Sequence, residues 1–167
     1  MLMMGYLLAL TAMHENRHVT YLPSYGAEVR GGTANCTVVV SSEEIASPTA
    51  GSPEYAVVMN HPSMIKYQGM IRLEGALFYN SDLIEDRPNR PDIEIVAVPA
   101  NRLAHELGTD RAMNMVMLGV FVKKTGLVSL ETMKTSLEEA IAAKKKALIE
   151  INKRALERGA EYVLGGK

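Results

Sequence analysis

Short apolar runs alternate with helical stretches along most of this chain. Its opening residues, Met1 to Met13, are almost wholly apolar. They read as a helix buried on several sides, which makes it a core element. Strands are expected at residues 18–22, 36–41, 55–60, 76–80 and 93–98, each bounded by Gly, Pro, Asn or Asp. Several of these runs lack strict polar alternation, which suits strands covered on both faces. Helices are expected at 62–68, with Pro62 in the first turn, at 101–107, stopped by Gly108, and at 112–124. Ser129 is placed to cap a helix starting near Leu130, with Glu131 close to its positive end. From Ala140 onward, Ile141, Leu148, Ile151 and Ala155 trace one apolar face, and Glu150 with Arg154 forms an i,i+4 pair opposite. Gly159 either ends this helix or is passed through by it. Two proline-containing stretches, 47–53 and 85–92, read as surface loops. The pattern implies an α/β fold, a three-layer α/β/α sandwich around a mixed or mainly parallel sheet.

Composition narrows the functional classes. The 167 residues make one domain, large enough for a real core, with 47% hydrophobic and 22% charged residues. A net charge of −1 argues against general attraction to nucleic acid or an anionic membrane. Cys36, the single cysteine, forms no internal disulfide and cannot by itself hold an iron–sulfur cluster. A reducing, cytoplasmic setting is the expectation. The apolar opening is broken by His14, Glu15, Asn16 and Arg17 well short of a membrane span, and no Lys or Arg precedes it as in a signal peptide.

Familiar catalytic signatures are missing: no H-E-x-x-H, C-x-x-C, G-x-S-x-G or P-loop pattern occurs. His14, His18, His61 and His105 have no metal-ligand spacing. His61 follows Asn60 at a strand-to-helix transition, where α/β folds bind ligands, although a histidine of the capping region is the favoured explanation. Cys36 reads as a small buried hydrophobe, and Met113, Met115 and Met117 as adaptable packing. Asn114, an amide inside an apolar run, must find partners if buried, and a structural polar role is expected for it.

The densest chemistry lies between the first two strands. Tyr25, Gly26, Glu28, Arg30, Gly31 and Gly32 combine an aromatic ring, three glycines, a carboxylate and a guanidinium. Glycines let another molecule approach the main chain closely. On extended backbone Glu28 and Arg30 project to the same side. A solvated turn carrying an exposed ion pair is the simpler alternative. The concentration of unusual residues favours a contact surface.

Residues 24–36, SYGAEVRGGTANC, resemble the signature of the γ subunit or γ domain of 2-oxoacid:ferredoxin oxidoreductases. The resemblance continues through SSEEIASP at 41–48, NSDLI at 80–84, VPA at 98–100 and NMVMLG at 114–119. It ends with Asn152 and RALERGAE at 154–161, so order and spacing match over nearly the whole chain. It implies a single γ domain over 1–167, like that of pyruvate:ferredoxin oxidoreductase. The family's opening strand and its G-x-G-G-Q-G-V turn are not in the sequence, so no phosphate-cradling role is assigned to such a turn.

The same resemblance implies an enzyme subunit, inactive alone, of a complex that oxidatively decarboxylates a 2-oxoacid to acyl-CoA and reduces ferredoxin. 2-Oxoglutarate is the favoured substrate, with pyruvate and branched-chain 2-oxoacids open. This chain is expected to bind no cofactor alone and no metal. Thiamine diphosphate, magnesium and iron–sulfur clusters would lie in partner subunits, with alpha and beta subunits as the partners and a delta subunit as a further candidate, and coenzyme A would be a co-substrate of the complex. The loop of Tyr25, Gly26, Glu28, Arg30, Gly31 and Gly32 would sit at the subunit interface near coenzyme A. There Arg30 would meet a carboxylate or phosphate, and Glu28 would hold it in place. A rival of another class is a non-catalytic assembly or ligand-binding module.

Overall fold

A computed structural model describes residues 1–24, 34–48, 51–141 and 145–165. In chain order the elements are α1 (Leu2–His14), β1 (His18–Ser24), β2 (Asn35–Ser41), β3 (Tyr55–Val58), α2 (His61–Tyr67), β4 (Ala76–Asn80), β5 (Glu94–Val98), α3 (Ala100–His105), α4 (Met113–Thr125), α5 (Leu130–Ala140) and α6 (Lys146–Gly165). All five expected strands are present within two residues of their expected ends. The α/β expectation holds. Its mixed sheet is realised as two separate pieces: a parallel sheet in the order β3-β4-β5, and an antiparallel ribbon of β1 and β2.

The parallel sheet has a layer on each face because β4, wholly buried, alternates its side chains between two cores. Ala76 and Phe78 enter the larger core with α1, α3, α4, α5 and α6. Leu77 and Tyr79 enter a smaller one with Met64 of α2, Ile71, Ile84 and Ile93. Phe121 of α4 meets Phe78 edge-on at 5.2 Å and Tyr55 at 5.7 Å, which seats the helix on the sheet. α1 lies on the ribbon, where a Cβ on Gly5 would overlap the Cys36 sulfur. Tyr21 reaches back to donate to the Leu2 carbonyl at 3.2 Å. Among the described residues no helix is long and apolar enough to cross a membrane.

The C-terminal third differs from its sequence reading. Ile141 leaves helical geometry at φ −106°, ψ 123°, ending α5, and α6 starts only at Lys146. The buried face of α6 is Ile149, Asn152, Ala155, Leu156, Gly159 and Ala160, and Leu148 is turned out. Of the apolar face drawn from Ile141, Ile141 and Ala155 are buried as expected, whereas Leu148 is turned out because the helix breaks after Ile141. Charged residues of α6 pair with neighbouring helices instead of with each other. Lys153 bonds Glu138, Glu157 meets Lys134 at 2.9 Å, and Arg158 meets Glu106 at 2.8 Å. Helix α6 runs through Gly159 without a break.

The loop of residues 85–92 is a surface loop, held most of all by one side chain. Arg90 donates to both oxygens of Asp92 at 2.7 and 2.6 Å, and to the carbonyls of Gln68 and Ile71 at 2.5 and 3.0 Å. The Arg90 hydrogen bonds hold the Asp92 carboxyl below the usual aspartate range. A carboxylate with a depressed folded-state pKa stabilises above its unfolded value, near about 3.9, and that stabilisation disappears as pH falls through the folded value. Wild type is therefore expected to exceed Asp92→Asn in stability by a constant margin near neutrality. The margin closes in acid. Urea melts of both proteins across the acid range check this, and a margin that widens in acid would refute it.

Candidate functional site

Three places merit scrutiny: the end of the β1–β2 ribbon, the carboxyl edge of the parallel sheet, and a cavity between helices. The ribbon runs from the pair His18–Ser41 to the pair Ser24–Asn35. Tyr25, Gly26, Glu28, Arg30, Gly31 and Gly32 lie between these last partners and outside the described residues. Ribbon register therefore fixes where the segment leaves and rejoins the fold. Cys36, just past it, packs against α1, and burial pushes its thiol pKa up, the opposite of an activated nucleophile.

At the carboxyl edge, polar residues at the ends of β3 and β4 and the start of α3 meet the first turns of two helices. Asn60 caps α2 by accepting from the Ser63 N–H at 3.0 Å. Next to it, His61 pairs with Asp86 at 2.9 Å. Asn80, fully buried at the end of β4, donates to the Asn101 side chain at 2.7 Å. Its own oxygen accepts from the backbone N–H groups of Ala100 at 3.2 Å and Asp82 at 3.3 Å. Asp82 in turn accepts from the Arg102 N–H at 2.8 Å. This is the edge where open parallel sheets bind ligands, but here the polar atoms are spent on one another. The arrangement joins β4 to the start of α3. Sequence reading noticed the stretch 80–84 as a motif and missed Asn80 as its centre; a lone Asn ending an apolar strand was the available signal.

Two of the remaining histidines make side-chain contacts. His14 bonds Ser136 at 2.9 Å and Glu139 at 3.1 Å, and His105 meets Asp110 at 3.3 Å. Among the described residues no three His, Cys, Asp or Glu side chains come together in a way that could hold a metal ion.

Asn114 opens on a cavity of about 460 Å³ framed by α1, α4, α5 and α6. Arg111, Lys145 and Asn152 share its lining, together with apolar side chains such as Met3, Met115 and Leu137. Met115 and Met117 are buried in α4 as packing residues, and Met113 lies half-buried against the same core.

Comparison with known proteins places this geometry. The family model for pyruvate ferredoxin/flavodoxin oxidoreductase matches residues 1–162. The ketoisovalerate oxidoreductase subunit VorA of Methanothermobacter marburgensis is 37% identical over 163 residues, covering 96% of this chain and 34% of the relative. The chain thus spans about a third of that relative's length. The 2-oxoglutarate synthase subunit KorC of Methanothermobacter thermautotrophicus is 29% identical over 161 residues, covering 93% of this chain and 84% of its own. The crystal structure of a keto/oxoacid ferredoxin oxidoreductase gamma subunit from Geobacter sulfurreducens superimposes with a TM-score of 0.84, covering 99% of this chain and 92% of that one. At 24% identity this likeness speaks for the fold alone. With a match from the first residue of α1 nearly to the end of α6, the chain belongs to the pyruvate ferredoxin/flavodoxin oxidoreductase family.

Proposed function

We propose that this chain is the γ component of a heteromeric 2-oxoacid oxidoreductase that converts a 2-oxoacid and coenzyme A to acyl-CoA and carbon dioxide. Two electrons leave to ferredoxin. The family match over residues 1–162 carries this reading. Thiamine diphosphate with magnesium, held by the alpha and beta subunits, supplies the carbanion chemistry, and iron–sulfur clusters in those or a delta subunit supply the electron path. The present chain contributes surface and position.

Within it, the segment with Tyr25, Gly26, Glu28, Arg30, Gly31 and Gly32 is assigned to the interface beside coenzyme A. Arg30 offers a fork of donors to a carboxylate or phosphate. Glu28 orients it. As substrate, 2-oxoglutarate was favoured by the motifs, whereas the higher identity, 37% against 29%, is to the ketoisovalerate relative. Both 2-oxoacids are therefore assayed side by side.

The test is co-purification of the tagged chain from its native host, with 2-oxoacid- and CoA-dependent viologen reduction measured on the eluate. Partner subunits with activity are expected. In the assembled complex Arg30→Ala is expected to lower turnover or raise the KM for coenzyme A by about tenfold or more, the scale of one lost charge-assisted hydrogen bond. An Arg30→Ala complex that assembles and turns over like wild type would remove Arg30 from the site. A chain recovered alone, from cells whose lysate has the activity, would favour the non-catalytic module.

A further inference from the structure

The cavity of about 460 Å³ between α1, α4, α5 and α6 has the size of a small-molecule site. Its lining follows from helical spacing. Arg111, in the short 3-10 turn that leads into α4, and Asn114 in its first turn share one side of the lining. Lys145, just before α6, and Leu148 and Asn152 within it line another. Leu137, Ala140 and Ile141 close the wall at the end of α5.

The polar groups there are unusual because they are unspent. Asn152 is only 9% exposed, yet its side-chain amide has no hydrogen-bond partner among the described residues. Asn114 likewise has no partner among the described residues, and Arg111 and Lys145 pair with no described carboxylate. No Asp or Glu is among the described lining residues.

Backbone electrostatics point the same way. The first turns of α1, α4 and α6 border the cavity through Met3, Asn114 and Leu148. The amino end of α6, beside Arg111 and Lys145, favours an anion. Met3, Met115 and Leu137 supply an apolar floor.

We propose that this cavity binds a small amphiphilic anion, a carboxylate or phosphate head on a short apolar chain. Arg111 and Lys145 hold the head, the amides of Asn114 and Asn152 orient it, and the apolar floor takes the chain. Anion binding here does not depend on the role proposed for residues 25–32.

The probes are hexanoate, hexyl phosphate and hexanol, titrated into the full chain carrying 13C-methyl methionine, with the Met3 and Met115 methyl signals as readout. Saturable shifts with at least one anion, and at least tenfold weaker binding of hexanol, are expected. Response to hexanoate alone would identify a carboxylate site, and response to hexyl phosphate alone a phosphate site. Arg111→Gln, on an exposed side chain, and Asn152→Leu, which fills the cavity, are each expected to weaken the anion at least tenfold with an unchanged circular dichroism spectrum. Absence of any saturable shift overturns the proposal. So does hexanol binding as tightly as the anions, or Arg111→Gln binding like wild type. If Asn152→Leu fails to fold, Arg111→Gln alone decides.

Discussion

Gly159→Ala is expected to destabilise the protein by about 1–2 kcal/mol, although the same change at an open helical position would help. Helix α6 crosses α4 so closely that a Cβ on Gly159 would overlap the carbonyl oxygen of Val116, with the carbonyl carbon 2.9 Å away. The contact is reciprocal: a Cβ on Gly119 would overlap the carbonyl of Leu156, whose carbon lies 2.8 Å away. Both obstacles are backbone, which cannot rotate aside as a side chain would. Alanine gains roughly 1 kcal/mol over glycine in a helix interior through its lower conformational entropy cost. Forcing the helices apart forfeits packing in the larger core, and overpacking typically costs about 1–3 kcal/mol or more when backbone must move. The steric term wins, and Gly119→Ala should behave the same way. Gly165, with nothing within 4 Å of its would-be Cβ, serves as control and should be neutral when changed to Ala. Urea melts of the three variants decide it. A Gly159→Ala protein as stable as wild type would mean that α4 and α6 do not cross this tightly.

Asn80→Ala is expected to cost about 3 kcal/mol, because it strands several groups at once. The Asn80 side chain is fully buried and makes three hydrogen bonds, two of them accepted from backbone N–H groups. Deleting it leaves the buried Ala100 N–H and the Asn101 side chain without their partners, and each orphaned buried polar group costs about 1–3 kcal/mol. Asn101→Ala breaks only the 2.7 Å bond between the two side chains and removes a half-buried partner, so about 1 kcal/mol is expected there. Because the lost contacts join β4 to α3, protection of the amides of residues 98–103 should fall in hydrogen exchange. Equal losses in the two variants would show that the side-chain pair, and not the backbone N–H groups, carries the stabilisation.

Much of the fold was legible along the chain. Strands appear where apolar runs are bounded by turn residues, since extended segments covered by helices need apolar side chains on both faces. The run 76–80 proved to be β4 to the residue. Ser129 caps α5 as expected, its hydroxyl accepting from the Thr132 N–H at 3.5 Å, because capping is a local interaction spanning three residues. The resemblance of residues 24–36 and the later motifs pointed to the same family as the match over 1–162. The ribbon-end site itself was legible only as composition. No local pattern encodes what Tyr25, Glu28 and Arg30 would touch in the proposed interface.

Local pattern, then, determined element type, the strong caps and the kinship of the chain. Tertiary structure decided the rest. The break at Ile141 shifted the buried face of α6 from Leu148 to Ile149, and only packing against α4 selects that face. Nothing local marked Gly119 and Gly159 as the place where two helices meet. Asn80 and Asn152 are the same residue type in buried settings. One is satisfied by three bonds and the other faces a cavity, because hydrogen-bond partners come from segments distant in sequence. Dihedral preference and capping act over a few residues, whereas burial, close approach and polar satisfaction are properties of the assembled core.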